Sequence, residues 1–231
     1  MMFADRTQAG TLLAERLHKY ADRPDVLVLG IPRGGVSVAY EVALALRAPL
    51  DVFVLRKLGV PEQEELAFGA IASGGVRVLD DEIIDAVGIS KADIERVTAM
   101  EKRELERREH IFRAGRPPLR VEGLTVILVD DGIATGSSMR AAINALRAMK
   151  PAFLVVAVPV APQSTIRRLG GLVDEFICLD APESFYGVGE FYFDFSQVTD
   201  QEVKSLLDRA EQMMRGTRRT ESKGADDGAR I

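Results

Sequence analysis

An α/β fold with an open, mainly parallel five-stranded sheet flanked by helices is what this sequence predicts, on three observations. Five short, mostly apolar runs, at residues 26–29, 51–55, 126–129, 153–158 and 173–179, have the length of strands. Their hydrophobicity is continuous rather than alternating, as in strands buried on both faces of a parallel sheet. Segments with helical apolar spacing lie between them, so right-handed crossovers are expected. Two of the runs pass directly into loops of small residues that open a helix, the local device by which α/β proteins present backbone N–H groups to a ligand.

Taken in order, residues 11–20 form an amphipathic helix with Leu12, Leu13 and Leu17 on one side. The first core strand, 26–29, leads into Gly30-Ile31-Pro32-Arg33-Gly34-Gly35 and then a helix through residue 45. Glycines let the backbone approach a ligand closely. Arg33 offers a planar fork suited to pyrophosphate or carboxylate. The loop has neither a Gly-Lys-Ser/Thr ending nor a G-x-G-x-x-G pattern, which excludes the P-loop and dinucleotide readings. The strand at 51–55 ends in Arg56-Lys57, two cations directed at the crevice where α/β ligands bind. Residues 60–65 are polar and without period. Residues 67–72 and 76–79, separated by Ser73-Gly74-Gly75, form a hairpin.

Residues 80–118 form a helical insertion. Ser90-Lys91-Ala92-Asp93 starts a helix that runs to about residue 113, with Ile94, Val97, Met100, Leu105 and Phe112 as its apolar stripe. Its dense charges make it a solvated helix packed along one edge. Lys102, Arg103, Arg107 and Arg108 are also within reach of a phosphate or a partner subunit. After the fourth strand, a helix near 164–169 precedes the last strand. Residues 180–198 form a hood that gathers Phe185, Tyr186, Phe191, Tyr192, Phe193 and Phe195 among Gly and Pro. These aromatics either stack on a flat heterocycle or close a small satellite core. Thr199-Asp200-Gln201-Glu202 is a capping box for a final helix to about residue 214. Residues 1–215 are read as one domain, and 216–231 as a polar, disordered tail.

Composition excludes several classes. With 231 residues and 47% hydrophobic content, the chain can bury a sizeable core. Thirty basic residues against 35 acidic leave a net charge of −5, so no broad attraction to nucleic acid or anionic membrane is expected. No apolar run is long enough to span a bilayer. The single cysteine, Cys178, sits in an apolar run and is expected to be a buried reduced thiol. A cytoplasmic protein is the expectation. His18 and His110 lack metal-ligand spacing, and no G-x-S-x-G elbow is present.

The chemistry concentrates at residues 126–138. Val126-Ile127-Leu128-Val129 is followed by Asp130-Asp131, by Gly132-Ile133-Ala134-Thr135-Gly136-Ser137-Ser138, and by a helix with Met139, Ile143, Leu146 and Met149 on one face. The loop can offer N–H groups and the hydroxyls of Thr135, Ser137 and Ser138 to a phosphate. The carboxylates stand one turn away, suited to a sugar diol or Mg²⁺. This stretch resembles the 5-phosphoribosyl-1-pyrophosphate (PRPP) signature of type I phosphoribosyltransferases. It departs from the commonest form at Gly132, where an aliphatic residue is usual.

The resemblance implies the type I phosphoribosyltransferase fold and a Mg²⁺-dependent transfer of the phosphoribosyl group between PRPP and a nitrogen base, with pyrophosphate released. On that reading Gly132 to Ser138 bind PRPP, with Ala134 to Ser138 anchoring the 5′-phosphate. Asp130 and Asp131 hold the ribose hydroxyls or Mg²⁺, directly or through water. Arg33, Gly34, Gly35, Arg56 and Lys57 neutralise the pyrophosphate, and residues 60–65 correspond to a mobile lid. The implied partners are PRPP and a small heterocyclic base; dimers are common in the family, which makes a homodimer an expectation to test. Two other readings remain open: a PRPP-binding sensor without catalysis, and a receiver-like α/β domain, which the Ala-Thr-Gly-Ser-Ser loop disfavours.

Overall fold

A computed structural model describes the backbone of residues 1–61 and 63–227 and, outside 64–65 and 216–227, their side chains. The expected sheet is present. Strands β1 (Val26–Gly30), β2 (Leu50–Val52), β6 (Thr125–Val129), β7 (Phe153–Val160) and β8 (Glu175–Asp180) form five parallel strands in the order β2-β1-β6-β7-β8. Every residue of β1 and of β6 is buried. The pleat divides β6 between two cores: Ile127 and Val129 face one side, Val126 and Leu128 the other.

Helices α1 (Arg6–Arg16), α2 (Gly34–Leu46) and α7 (Asp200–Asp227) cover the first side, burying Leu13, Val42, Val203 and Leu207. Helices α5 (Ser137–Ala148) and α6 (Gln163–Gly170) cover the second with Met139, Ile143, Leu146 and Leu169. Helix α1 begins earlier than its apolar spacing indicated because Asp5 caps it, its side chain accepting from the Gln8 N–H at 2.8 Å. The capping box of α7 forms, with Glu202 N–H donating to Thr199 Oγ1 at 3.2 Å and Thr199 N–H to the Glu202 carboxylate at 2.6 Å. That helix continues to Asp227, beyond the expected end near residue 214. Of the expected tail, residues 228–231 lie outside the described residues.

The run at 51–55 does not form one strand. It divides at Phe53, and β3 (Leu55–Val60) leaves the main sheet to join β4 (Gln63–Ala72) and β5 (Val76–Leu79) in a separate antiparallel sheet. Arg56 and Lys57 therefore lie within an antiparallel strand rather than at the C-terminal end of a core strand. Val60 pairs with Gln63, so the stretch expected to be a lid continues a hairpin; Glu62 lies outside the described residues. The insertion holds two helices, α3 (Asp81–Val87) and α4 (Lys91–Arg113). Ile94, Val97, Leu105 and Phe112 are buried as expected, whereas Met100 is exposed. A half-buried fork ties α4 to the sheet edge: Arg113 donates from Nε and Nη2 to the two Asp51 oxygens at 3.0 and 2.9 Å.

Candidate active site

The acidic pair stands where β6 ends. Asp130 Oδ1 accepts the Asp131 N–H at 2.9 Å, and Gly34 and Gly35, at the start of α2, press against the pair. A Cβ on Gly34 would stand 1.9 Å from Asp131 Oδ2, and one on Gly35 would stand 2.8 Å from both Asp130 Cα and Asp130 Oδ1. Only glycine permits this approach. The two loops expected to hold one ligand thus meet at the C-terminal ends of neighbouring strands β1 and β6. The Pro32–Arg33 peptide is cis.

The loop between β6 and α5 is built to expose its N–H groups. Ile133 N–H is bound to Val160 O at 2.9 Å. Thr165 Oγ1 donates to Ala134 O at 3.0 Å, and Arg168 Nη2 donates to Thr135 O. Both donors come from α6 and hold the loop by its carbonyls. The backbone N–H groups of Thr135 to Met139 make no hydrogen bond among the described residues. Gly136 precedes α5 with φ of 77°, a left-handed conformation that favours glycine. Ala134, Thr135, Ser137 and Ser138 are exposed. Unpaired donors and hydroxyls at a helix N-terminus suit an anion.

Gly132, the departure from the signature, has a tertiary reason. A Cβ there would stand 2.4 Å from Val188 Cγ1 and 3.0 Å from Val160 Cγ1. The hood occupies the space that an aliphatic side chain would need.

The expected basic residues are dispersed. Arg33 caps α2 and lies 3.8 Å from Asp200. Arg56 and Lys57 point to opposite faces of β3, as neighbours in a strand must. Arg56 is held by Glu101 of α4 at 2.6 Å. Lys57 lines a cavity of about 690 Å³ with Ser137, Arg140 and Asn144 of α5 and Asp80 to Ile83 across from them. That cavity meets the phosphate-type loop at Ser137 and includes neither aspartate. On α4, Arg107 and Arg108 both pair with Glu104, and Lys102 lies 3.9 Å from Glu106.

Three contributors escaped the sequence reading: Arg6, Arg168 and the placement of Tyr192. Arg6 Nε donates to Asp131 Oδ2 at 2.8 Å, across 125 residues of sequence. Its Nη1 donates to Ser196 O at 2.8 Å, and its guanidinium lies 4.0 Å from the Phe195 ring centre. The Tyr192 hydroxyl donates to Asp131 O at 2.6 Å. Tyr192 thus belongs to a small buried core with Phe3 and lies 5.0 Å from the Phe195 ring, while Phe195, Tyr186 and Phe193 are exposed. Burial, and then the neighbouring charge of Asp131, hold the Asp130 carboxyl well above the usual carboxylate range. Burial also pushes the Tyr192 phenol up.

The Mg²⁺ that the resemblance implies finds poor ligands in this pair. Asp131 Oδ2 is engaged by a guanidinium, and Asp130 Oδ1 accepts a backbone N–H. Magnesium seeks hard, charged oxygen ligands. The pair as arranged does not fit a directly bound divalent cation.

Fold and site together define a parallel α/β protein with a helix-mouth anion loop beside an acidic pair. Residues 5–195 match the family model described as Phosphoribosyl transferase domain. The chain belongs to that family. It is 47% identical over 209 residues to the "Putative phosphoribosyl transferase Rv0571c" of Mycobacterium tuberculosis H37Rv, covering 90% of this chain and 47% of the relative. The chain thus spans about half the length of that curated relative. Among solved structures, the TT1426 protein of Thermus thermophilus is 42% identical with a TM-score of 0.82, covering 90% of this chain and 98% of that one. Among the described residues, no helix is long and apolar enough to cross a membrane.

Proposed function

We propose that this site transfers the 5-phosphoribosyl group between PRPP and a nitrogen heterocycle, with pyrophosphate as the other product. The observation that carries the reading is the grouping of three parts at the C-terminal ends of β1 and β6: the N–H-lined loop at 135–139, the acidic pair that precedes it, and Gly34-Gly35 packed against that pair. The loop and the hydroxyls of Thr135, Ser137 and Ser138 take the 5′-phosphate, a remote anchor that positions the sugar carbon. Asp131, with one oxygen oriented by Arg6, accepts a ribose hydroxyl through the other. Asp130, the second carboxyl of the pair, faces the same diol beside it. Arg33 and the start of α2 stabilise the charge that grows on the leaving pyrophosphate. Tyr186 and Phe193, exposed on the hood segment, supply flat surfaces for a base. Arg56 is engaged by Glu101, so a role on pyrophosphate requires it to exchange partners.

Magnesium belongs to the resemblance, and no step here passes through a metal held by the acidic pair. One observation favours a second reading, a sensor that binds PRPP without turnover: an arginine already occupies Asp131. Calorimetry with PRPP, followed by pyrophosphate release across purine and pyrimidine bases, decides between them. Heat with PRPP and pyrophosphate release with one base class is the expected result. Heat without release with any base favours the sensor. No heat, or full turnover by Asp130→Asn with Asp131→Asn, refutes the site.

A further inference from the structure

We propose that Arg6 is the built-in counter-cation of the acidic pair, taking the place a divalent metal would hold at Asp131 and keeping such metals off it. The proposal concerns the site described above, but its central clause holds or fails without reference to PRPP.

Arg6 is placed there by construction at every level. Asp5 caps α1, and the Ala4 N–H donates to Gln8 Oε1 at 2.6 Å, so Arg6 is fixed as the first helical residue. The segment before it is locked into the hood. Phe3 is fully buried, its N–H donates to Phe191 O at 2.8 Å, and its carbonyl accepts from Phe193 N–H at 2.9 Å. Asp194 N–H donates to Ala4 O at 2.9 Å. The side chain of Arg6 then meets three separate parts of the chain. It bonds Asp131 after β6, bonds the Ser196 carbonyl beyond the hood, and lies over the Phe195 ring. Its side chain is 12% exposed and that of Asp131 15%.

These contacts make Arg6 a poor candidate for displacement. A guanidinium in a charge-assisted bond and on an aromatic face is held more firmly than a solvated surface cation. A metal at Asp131 would have to share one carboxylate with that guanidinium at short range, in surroundings that screen poorly. The tight walls add to this: a Cβ on Gly34 would already stand 2.9 Å from Arg6 Nε. The second carboxyl is constrained as well, since Asp130 Oδ1 accepts the Asp131 N–H and, among the described residues, only its other oxygen is left without a protein partner. A sugar hydroxyl needs no such displacement, because it donates one hydrogen bond to the free oxygen of a charge-paired carboxylate. The pair is therefore fitted to an uncharged hydroxyl partner rather than to a bare divalent cation.

The test uses Mn²⁺ as the probe, without PRPP, on the full chain, with binding read by electron paramagnetic resonance. Wild type and Asp131→Asn are expected to bind Mn²⁺ alike. Arg6→Gln should gain one site at least tenfold tighter than any in wild type, and adding Asp131→Asn should remove it. Arg6→Lys, which restores the charge, should not gain the site. A wild-type Mn²⁺ site lost in Asp131→Asn overturns the proposal, as does a folded Arg6→Gln that gains none. Should Arg6→Gln fail to fold by circular dichroism, the comparison of wild type with Asp131→Asn decides alone. Because no arm uses PRPP, failure here is distinct from failure of the transferase reading.

Discussion

Replacing Gly132 by alanine tests why this chain departs from the usual signature. The added Cβ would meet Val188 Cγ1 at 2.4 Å, more than 1 Å inside an ordinary carbon–carbon contact of about 3.5 to 4.0 Å. The turn cannot simply retreat. Ile133 is bonded to Val160 O on one side, and Asp131 O accepts the Tyr192 hydroxyl on the other. Overpacking of this kind costs about 1 to 3 kcal/mol. For a domain of this size that lowers Tm by about 2 to 12 °C. Val188→Ala removes the nearest clashing methyl and leaves Val160, so the double variant should recover about half the loss. The assay is a double-mutant cycle by urea unfolding, with a coupling of about 0.5 to 3 kcal/mol expected between these contacting positions. Gly132→Ala as stable as wild type, or additive with Val188→Ala within about 0.3 kcal/mol, would refute the packing explanation.

Three further outcomes follow from the same geometry. Arg113→Ala should destabilise by about 3 kcal/mol, since it leaves the half-buried Asp51 carboxylate with the Val52 N–H but no counter-charge, and Asp51→Asn in that background should return part of the loss; urea midpoints measure both. Asp130 has its folded-state pKa raised, so the native protein holds a proton that the unfolded chain releases above about pH 4. Wild type should therefore lose stability relative to Asp130→Asn as pH rises from about 4 through the folded-state pKa, and a constant difference from pH 4 to 8 would contradict that sign. The Cys178 thiol, pushed up to about 11 chiefly by burial, should react with a thiol reagent at pH 8 about 10²-fold more slowly in native than in unfolded protein.

What could be read along the chain was whatever depends on neighbours in sequence. Continuous apolar runs at 26–29 and 126–129 announced strands buried on both faces, because burial on both sides leaves no polar alternation. The acidic pair and its loop were legible for the same reason: a strand end, a turn and a helix start are local devices. Thr199 with Glu202, and Ser90 with Asp93, announced their helix starts through contacts three residues apart. The run at 51–55 was misjudged because apolar composition does not say which sheet a strand joins, and that choice carried Arg56 to Glu101 and Lys57 to a separate cavity. Arg6 gave no signal at all, for its partners lie 125 and 190 residues away. The amino-acid order thus determined the strands, the loops and the chemistry they can offer. Only the folded chain decided which cation stands on Asp131 and why residue 132 is glycine, since both depend on the hood and the N-terminal segment closing over β6 from opposite ends of the sequence.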